Sequence, residues 1–158
     1  MVVIGLGSPF LADDGVGPRV VRELARQGLP GARLVEAHAG GLLLVEELKG
    51  ASRAVIVDAL ADERRVPGEV LVSGVDRATH NASCSHDCDL PQALALGRAM
   101  GLPLPADAEI LLVAVVARDL NTFSETLSPA VEAAVPRACA EVRAWLAGEE
   151  GKPQAEAA

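Results

Sequence analysis

Apolar positions along the chain fall into short continuous runs that alternate with helical stripes. Val2 to Leu6 is such a run, ending in Gly5-Leu6-Gly7, and from about Asp14 the residues Val16, Val20, Val21 and Leu24 recur at helical spacing up to Gly28. The pattern predicts strand, loop, helix. Pro18 suits a first helical turn, where its missing N–H is not needed, and Asp13 or Asp14 is placed to cap the free N–H groups there. Arg33 to Ala37 reads as a second strand, Gly40-Gly41 as a turn, and Leu42 to Leu48 as a short helix. Ala54 to Val57 is a wholly apolar third strand that stops at Asp58. After the Pro67-Gly68 turn, Glu69 to Ser73 is expected to fold back on that third strand as an antiparallel hairpin.

Hydrophobicity then drops. Gly74 to Asp89 carries Asp76, Arg77, His80, Asn81, Cys84, His86 and Cys88 with little to bury, the profile of a long surface loop of the kind that carries function. Leu90 to Met100 returns to helical spacing and closes at Gly101, and Ile110 to Val116 is a continuous apolar run suited to a central strand buried on both faces. Ser128-Pro129 opens a long helix striped by Val131, Val135, Val142 and Trp145, with Pro136 expected to kink or restart it. From Glu149 the composition turns to Glu, Gly, Lys, Pro, Gln and Ala, and a disordered tail over 149–158 is expected. The elements together predict a three-layer α/β/α sandwich, with a mostly parallel twisted sheet of about five strands including one antiparallel strand. Residues 1–148 are expected to form one α/β domain.

Composition narrows the function. Half of the residues are hydrophobic and only 2% are aromatic, which suits packed helix-on-sheet layers and not a base-stacking surface. A formal charge of −8 opposes phosphate backbones and anionic membranes, so neither nucleic acid nor membrane is an expected partner. No apolar run approaches the ~20 residues of a membrane span. The opening Met1-Val2-Val3-Ile4-Gly5 lacks a basic n-region, and Cys84, Cys88 and Cys139 are an odd, sparse set, so reduced thiols in the cytoplasm are expected.

Sheets of this class bind ligands at the carboxyl ends of their strands, which brings three segments into question: the Gly5–Gly17 loop, Asp58, and Val116-Ala117-Arg118-Asp119. Gly5-Leu6-Gly7 invites a dinucleotide-binding reading, but the third glycine position is Phe10, and Asp13 and Asp14 would sit beside the phosphates. Asp14 reads either as a helix cap or as a ligand, and Asp58 either as a solvated strand-end carboxylate or as one facing a cleft. His86 stands open three ways: with His80, Cys84 and Cys88 in a structural zinc site, beside a reactive thiol, or in a polar loop without a role. Two carboxylates and an imidazole, each on a loop beyond a strand end, match a divalent transition-metal site with positions left open for a substrate.

Gly5-Leu-Gly-Ser-Pro-Phe-Leu-Ala-Asp-Asp-Gly-Val-Gly17 resembles the opening signature of the hydrogenase maturation endopeptidases, and the likeness continues through Val55-Ile-Val-Asp58, Ser85-His86 and Glu125-Thr-Leu-Ser-Pro129. The resemblance implies that Asp14, Asp58 and His86 form both the metal and the catalytic site of a nickel-dependent endopeptidase. Its partner would be a nickel-iron hydrogenase large-subunit precursor, whose C-terminal extension is removed after nickel insertion. The nickel would arrive with the precursor, and zinc or cadmium could occupy the site in vitro; a monomer is expected. A non-catalytic accessory protein that inspects a partner's metal site, and a Rossmann-like nucleotide enzyme, are the alternatives. The chain departs from the family at Ser8, where asparagine is common, and over Glu36-Ala37-His38-Ala39-Gly40-Gly41, where an Asp-Gly-Gly-Thr-like run is usual. Glu36 and His38 are therefore candidate precursor contacts, with His38 also open as a surface residue or stray ligand. Cys84 and Cys88 are expected to be bystanders.

Overall fold

The computed structural model describes residues 1–75 and 90–148. Five strands, β1 (Val2–Leu6), β2 (Arg33–Ala37), β3 (Ala54–Ala61), β4 (Val70–Gly74) and β5 (Ile110–Ala117), form one sheet in the order β2-β1-β3-β5-β4. The first four in that order are parallel, and β4 runs antiparallel to β5. Among the described residues four α-helices, α1 (Val16–Gln27), α2 (Leu42–Leu48), α3 (Leu90–Ala99) and α4 (Pro129–Leu146), cover the two faces.

The period of two in the strands decides which helix meets which residue. Val3, Val55, Val57, Leu111, Val113 and Val115 point to one face and pack with Val20 and Leu24 of α1 and Val131 and Val135 of α4. Val2, Ile4, Ala54, Ile56 and Ile110 point to the other and meet Leu44 and Leu48 of α2 and Ala93 and Leu94 of α3. Inner strands buried on both faces must be apolar throughout, which is why they appear in the sequence as unbroken runs. Each fully buried Val or Leu contributes about 1.5–3 kcal/mol, so the two clusters hold the three layers together.

Three expectations change. β3 does not stop at Asp58 but continues to Ala61, paired residue for residue with β5, Asp58 lying opposite Ala114. β4 is antiparallel as expected, yet its neighbour is β5 and not β3, because β5 takes the free edge of β3 and leaves its own far edge open. The connecting segment is fastened by Gly68 N–H to Val116 O (2.8 Å) and by the Arg118 guanidinium, which donates to the carbonyls of Asp62, Glu63 and Arg65. Finally, of the kink or restart expected at Pro136, the restart is absent: α4 passes through as one 18-residue helix.

The predicted tail over 149–158 lies outside the described residues. Among those described, no helix is long and apolar enough to cross a membrane. The strand order changes direction between β1 and β3, since β2 lies on one side of β1 and β3 on the other. A crevice at the carboxyl ends of that pair is where open α/β sheets receive ligands. The loop after β1 and the latter half of β3 both end there.

Candidate active site

The loop from β1 to α1 is shaped by glycines that admit close backbone approach. Gly7 has φ of 125°, and a Cβ on it would lie 2.0 Å from the Asp14 carbonyl oxygen and 3.3 Å from Asp14 Oδ2, so only glycine lets the chain turn back over itself here. A Cβ on Gly17 would meet the Leu6 and Val57 carbonyl oxygens at 2.3 and 2.6 Å, so the first turn of α1 sits directly on β1 and β3. Between them Ala12–Gly15 forms a 3-10 turn, and Ala12 is the one non-glycine among the described residues with positive φ (45°). Backbone of this kind persists where surrounding contacts over-determine it.

Those contacts come from far along the chain. Ala12 N–H donates to Ser124 O at 2.8 Å, Ser124 N–H to Phe10 O at 2.9 Å, and Asp13 N–H to Asp119 O at 2.9 Å. The segment after β5 thus clamps the loop after β1. Asp13 is buried, its Oδ1 accepting from Ser128 N–H at 2.6 Å and its Oδ2 from the Ser128 hydroxyl at 3.0 Å. Among the described residues no side chain caps the turn or α1. The capping role expected of Asp13 or Asp14 at that helix is therefore absent, because Asp13 faces the start of α4 instead.

Asp14 turns the other way. Its Oδ2 accepts from Ser8 N–H at 2.6 Å, which holds the carboxylate within the loop and leaves Oδ1 with no hydrogen bond to a described residue. The same geometry counts against a nucleotide, since a carboxylate occupies the loop amide that would meet a phosphate. Asp58 shares the face of Ala54 and Ile56, the face covered by α2 and α3, and its Oδ1 accepts from Ala59 N–H at 2.8 Å. Burial pushes the Asp58 carboxyl from 3.8 up to about 7, the Ala59 N–H opposes this, and the negative charge of Asp14 adds to the rise. Asp14 and Asp58 are thus within electrostatic reach of each other at the crevice between β1 and β3.

His86 lies outside the described residues, as do His80, Cys84 and Cys88 and with them the zinc and reactive-thiol readings. Among the described residues no group of three His, Cys, Asp or Glu side chains is arranged to hold a metal. Of the two residues singled out in the second loop, His38 donates from Nδ1 to Gly7 O at 3.0 Å and so braces the first loop, while Glu36 is paired with Arg22 at 2.7 Å. Phe10 and Phe123, which no sequence pattern pairs, stack with ring centroids 6.4 Å apart at the rim of the same loop. A phenylalanine in a loop carries no periodicity, so the pairing had no local signal.

Known proteins resemble the chain over most of its length. The model of the family described as "Hydrogenase maturation protease" matches residues 18–145. The chain is 26% identical over 151 residues to the Hydrogenase 2 maturation protease of Escherichia coli, covering 92% of this chain and 90% of that protein. It is 29% identical over 153 residues to the hydrogenase expression/formation protein HupM of Azotobacter chroococcum, covering 93% and 71%. Among solved structures, the hydrogenase maturating endopeptidase HybD from E. coli superposes with a TM-score of 0.73 at 27% identity, over 93% of this chain and 91% of that one. A hydrogenase 2 maturation peptidase from a Thaumarchaeota archaeon gives 0.67 at 27% identity, over 94% and 98%.

Proposed function

Because the chain belongs to the hydrogenase maturation protease family, we propose that it is a nickel-dependent endopeptidase that removes the C-terminal extension of a nickel-iron hydrogenase large-subunit precursor after nickel insertion. The observation that carries this reading is the pair Asp14 and Asp58, brought together at the carboxyl ends of β1 and β3 with the Asp58 carboxyl raised to about 7. Two carboxylates sharing a desolvated crevice repel, and a divalent cation relieves that repulsion. The donor set suits such an ion, with His86 as the third proposed ligand.

Connectivity supports that choice. His86 precedes Leu90, the first residue of α3, by four positions. α3 packs on the Asp58 face of the sheet and ends beside the amino end of β3, where Gly50 N–H meets Pro103 O at 2.8 Å. Its ten residues span about 15 Å, which directs its first turn toward the carboxyl ends of the strands.

In this reading nickel belongs to the substrate, and it supplies a Lewis acid that polarises the scissile carbonyl or activates a water. The chain's own residues do the rest. Ser8 N–H and Ala59 N–H each hold one carboxylate oxygen, so the other oxygen of Asp14 and of Asp58 is aimed without cost at the moment of binding. Asp13, locked to Ser128, keeps the loop in register with α4. Specificity then works as a gate, because a precursor without the ion lacks what completes the site.

The test is the mass of a candidate large subunit before and after incubation, with and without nickel. Loss of the C-terminal segment only from nickel-loaded precursor is expected, and Asp14→Ala or His86→Ala should stop it. Cleavage at wild-type rate by either variant would remove the site assignment, and binding of loaded precursor without shortening would favour an accessory role.

A further inference from the structure

The chain has two phenylalanines, one tryptophan and no tyrosine, and both phenylalanines lie on the surface. Phe10 is 51% exposed and Phe123 83% exposed, yet their rings stack at 6.4 Å with an interplanar angle of 13°. Large apolar side chains left in water forgo the burial that elsewhere stabilises the fold, so a fixed pair of them marks a contact surface. This pair is fixed. Ser124, next to Phe123, donates to Phe10 O at 2.9 Å and accepts from Ala12 N–H at 2.8 Å, and Leu11 and Ser124 form a β-bridge.

The pair also connects to the candidate site through one short relay. Phe10 N–H donates to Ser8 Oγ at 3.3 Å, and Ser8 N–H donates to Asp14 Oδ2 at 2.6 Å. Phe10 and Asp14 thus belong to one hydrogen-bonded loop, four residues apart. We propose that Phe10 and Phe123 form the seat for an apolar segment of the hydrogenase precursor chain beside the bond that is cut, an inference that rests on the protease reading above. Phenylalanine offers ring faces and no polar handle, so the segment is recognised by aliphatic or aromatic side chains. A second copy of this chain is the weaker occupant, since each copy carries a formal charge of −8 and the two repel on approach.

The experiment uses the full chain and nickel-loaded precursor, with cleavage followed by mass and binding followed by calorimetry. Phe10→Ser, Phe123→Ser and the double variant are compared with wild type, and Met100→Ser serves as control. Met100 is 65% exposed but lies on the connection into the amino end of β5, at the other end of the sheet. The double variant should raise KM and the dissociation constant at least about tenfold, each single variant less, with the loss in KM rather than kcat and melting temperatures unchanged. An unchanged KM and dissociation constant, or an equal rise in Met100→Ser, overturns the seat. So does a wild-type dimer in sedimentation that the double variant dissolves. Wild type that binds precursor through the rings but never cuts it would leave the seat standing and overturn the protease reading instead.

Discussion

Asp58→Asn should make the protein more stable at alkaline pH while stopping its activity, and the size of the effect follows from the crevice. In the folded chain the Asp58 carboxyl is raised from 3.8 to about 7, first by burial and then by Asp14. The folded state therefore holds a proton that the unfolded chain releases near pH 4. Between pH 4 and 7 the native state binds more protons than the unfolded one, so stability is greatest below pH 4 and falls until about pH 7, beyond which this contribution is flat. About three pH units at ~1.4 kcal/mol each set a ceiling of about 4 kcal/mol. The residue keeps some contact with solvent although its carboxyl is buried, and screening through that contact reduces this to about 2 kcal/mol. Asparagine keeps an acceptor for the Ala59 N–H but has no charge to desolvate. Urea unfolding of both proteins with chelator present, from pH 4 to 9, should give near-equal stabilities at pH 4. The variant should lead by about 2 kcal/mol at pH 8, the magnitude being that of the screened shift. Parallel pH curves, or a variant that is weaker at pH 8, would mean that Asp58 carries no such raised carboxyl.

Two substitutions test the scaffold around that pair. Asp13→Ala removes both acceptors of Ser128 and leaves its N–H unpartnered, so a loss of about 3 kcal/mol in urea unfolding is expected, with partial recovery in Asp13→Asn; no loss would mean that the tie to α4 is idle. Gly17→Ala forces a methyl group to 2.3 Å from the Leu6 carbonyl oxygen, and backbone must shift to admit it. A loss of about 3 kcal/mol or more is expected, and one under about 1 kcal/mol would show that α1 is not held hard against β1 and β3.

The sequence was most readable where residues answer to their own neighbours. Each strand and helix begins within a residue or two of where alternation and stripes place it, because an inner strand must be apolar on both faces and an outer helix on one. Asp14 and Asp58 were legible only as candidates, each open to a structural reading until the family signature over Gly5–Gly17 and Val55–Asp58 singled them out. The role of Asp13 was not, because its partner Ser128 is 115 residues away. Nor was the extension of β3 past Asp58, which needs β5 alongside to pair with it.

Local periodicity along the chain was enough to settle the elements and the α/β class, whereas Asp14 and Asp58 were singled out by the resemblance of their segments to a family signature. Long-range packing alone puts β5 between β3 and β4, clamps the first loop with the segment after β5, brings Phe123 to Phe10, and raises the Asp58 carboxyl to about 7. Each of these depends on which strand edge is free and which loop it delivers to the crevice. Local propensity acts over a few residues and is blind to that choice.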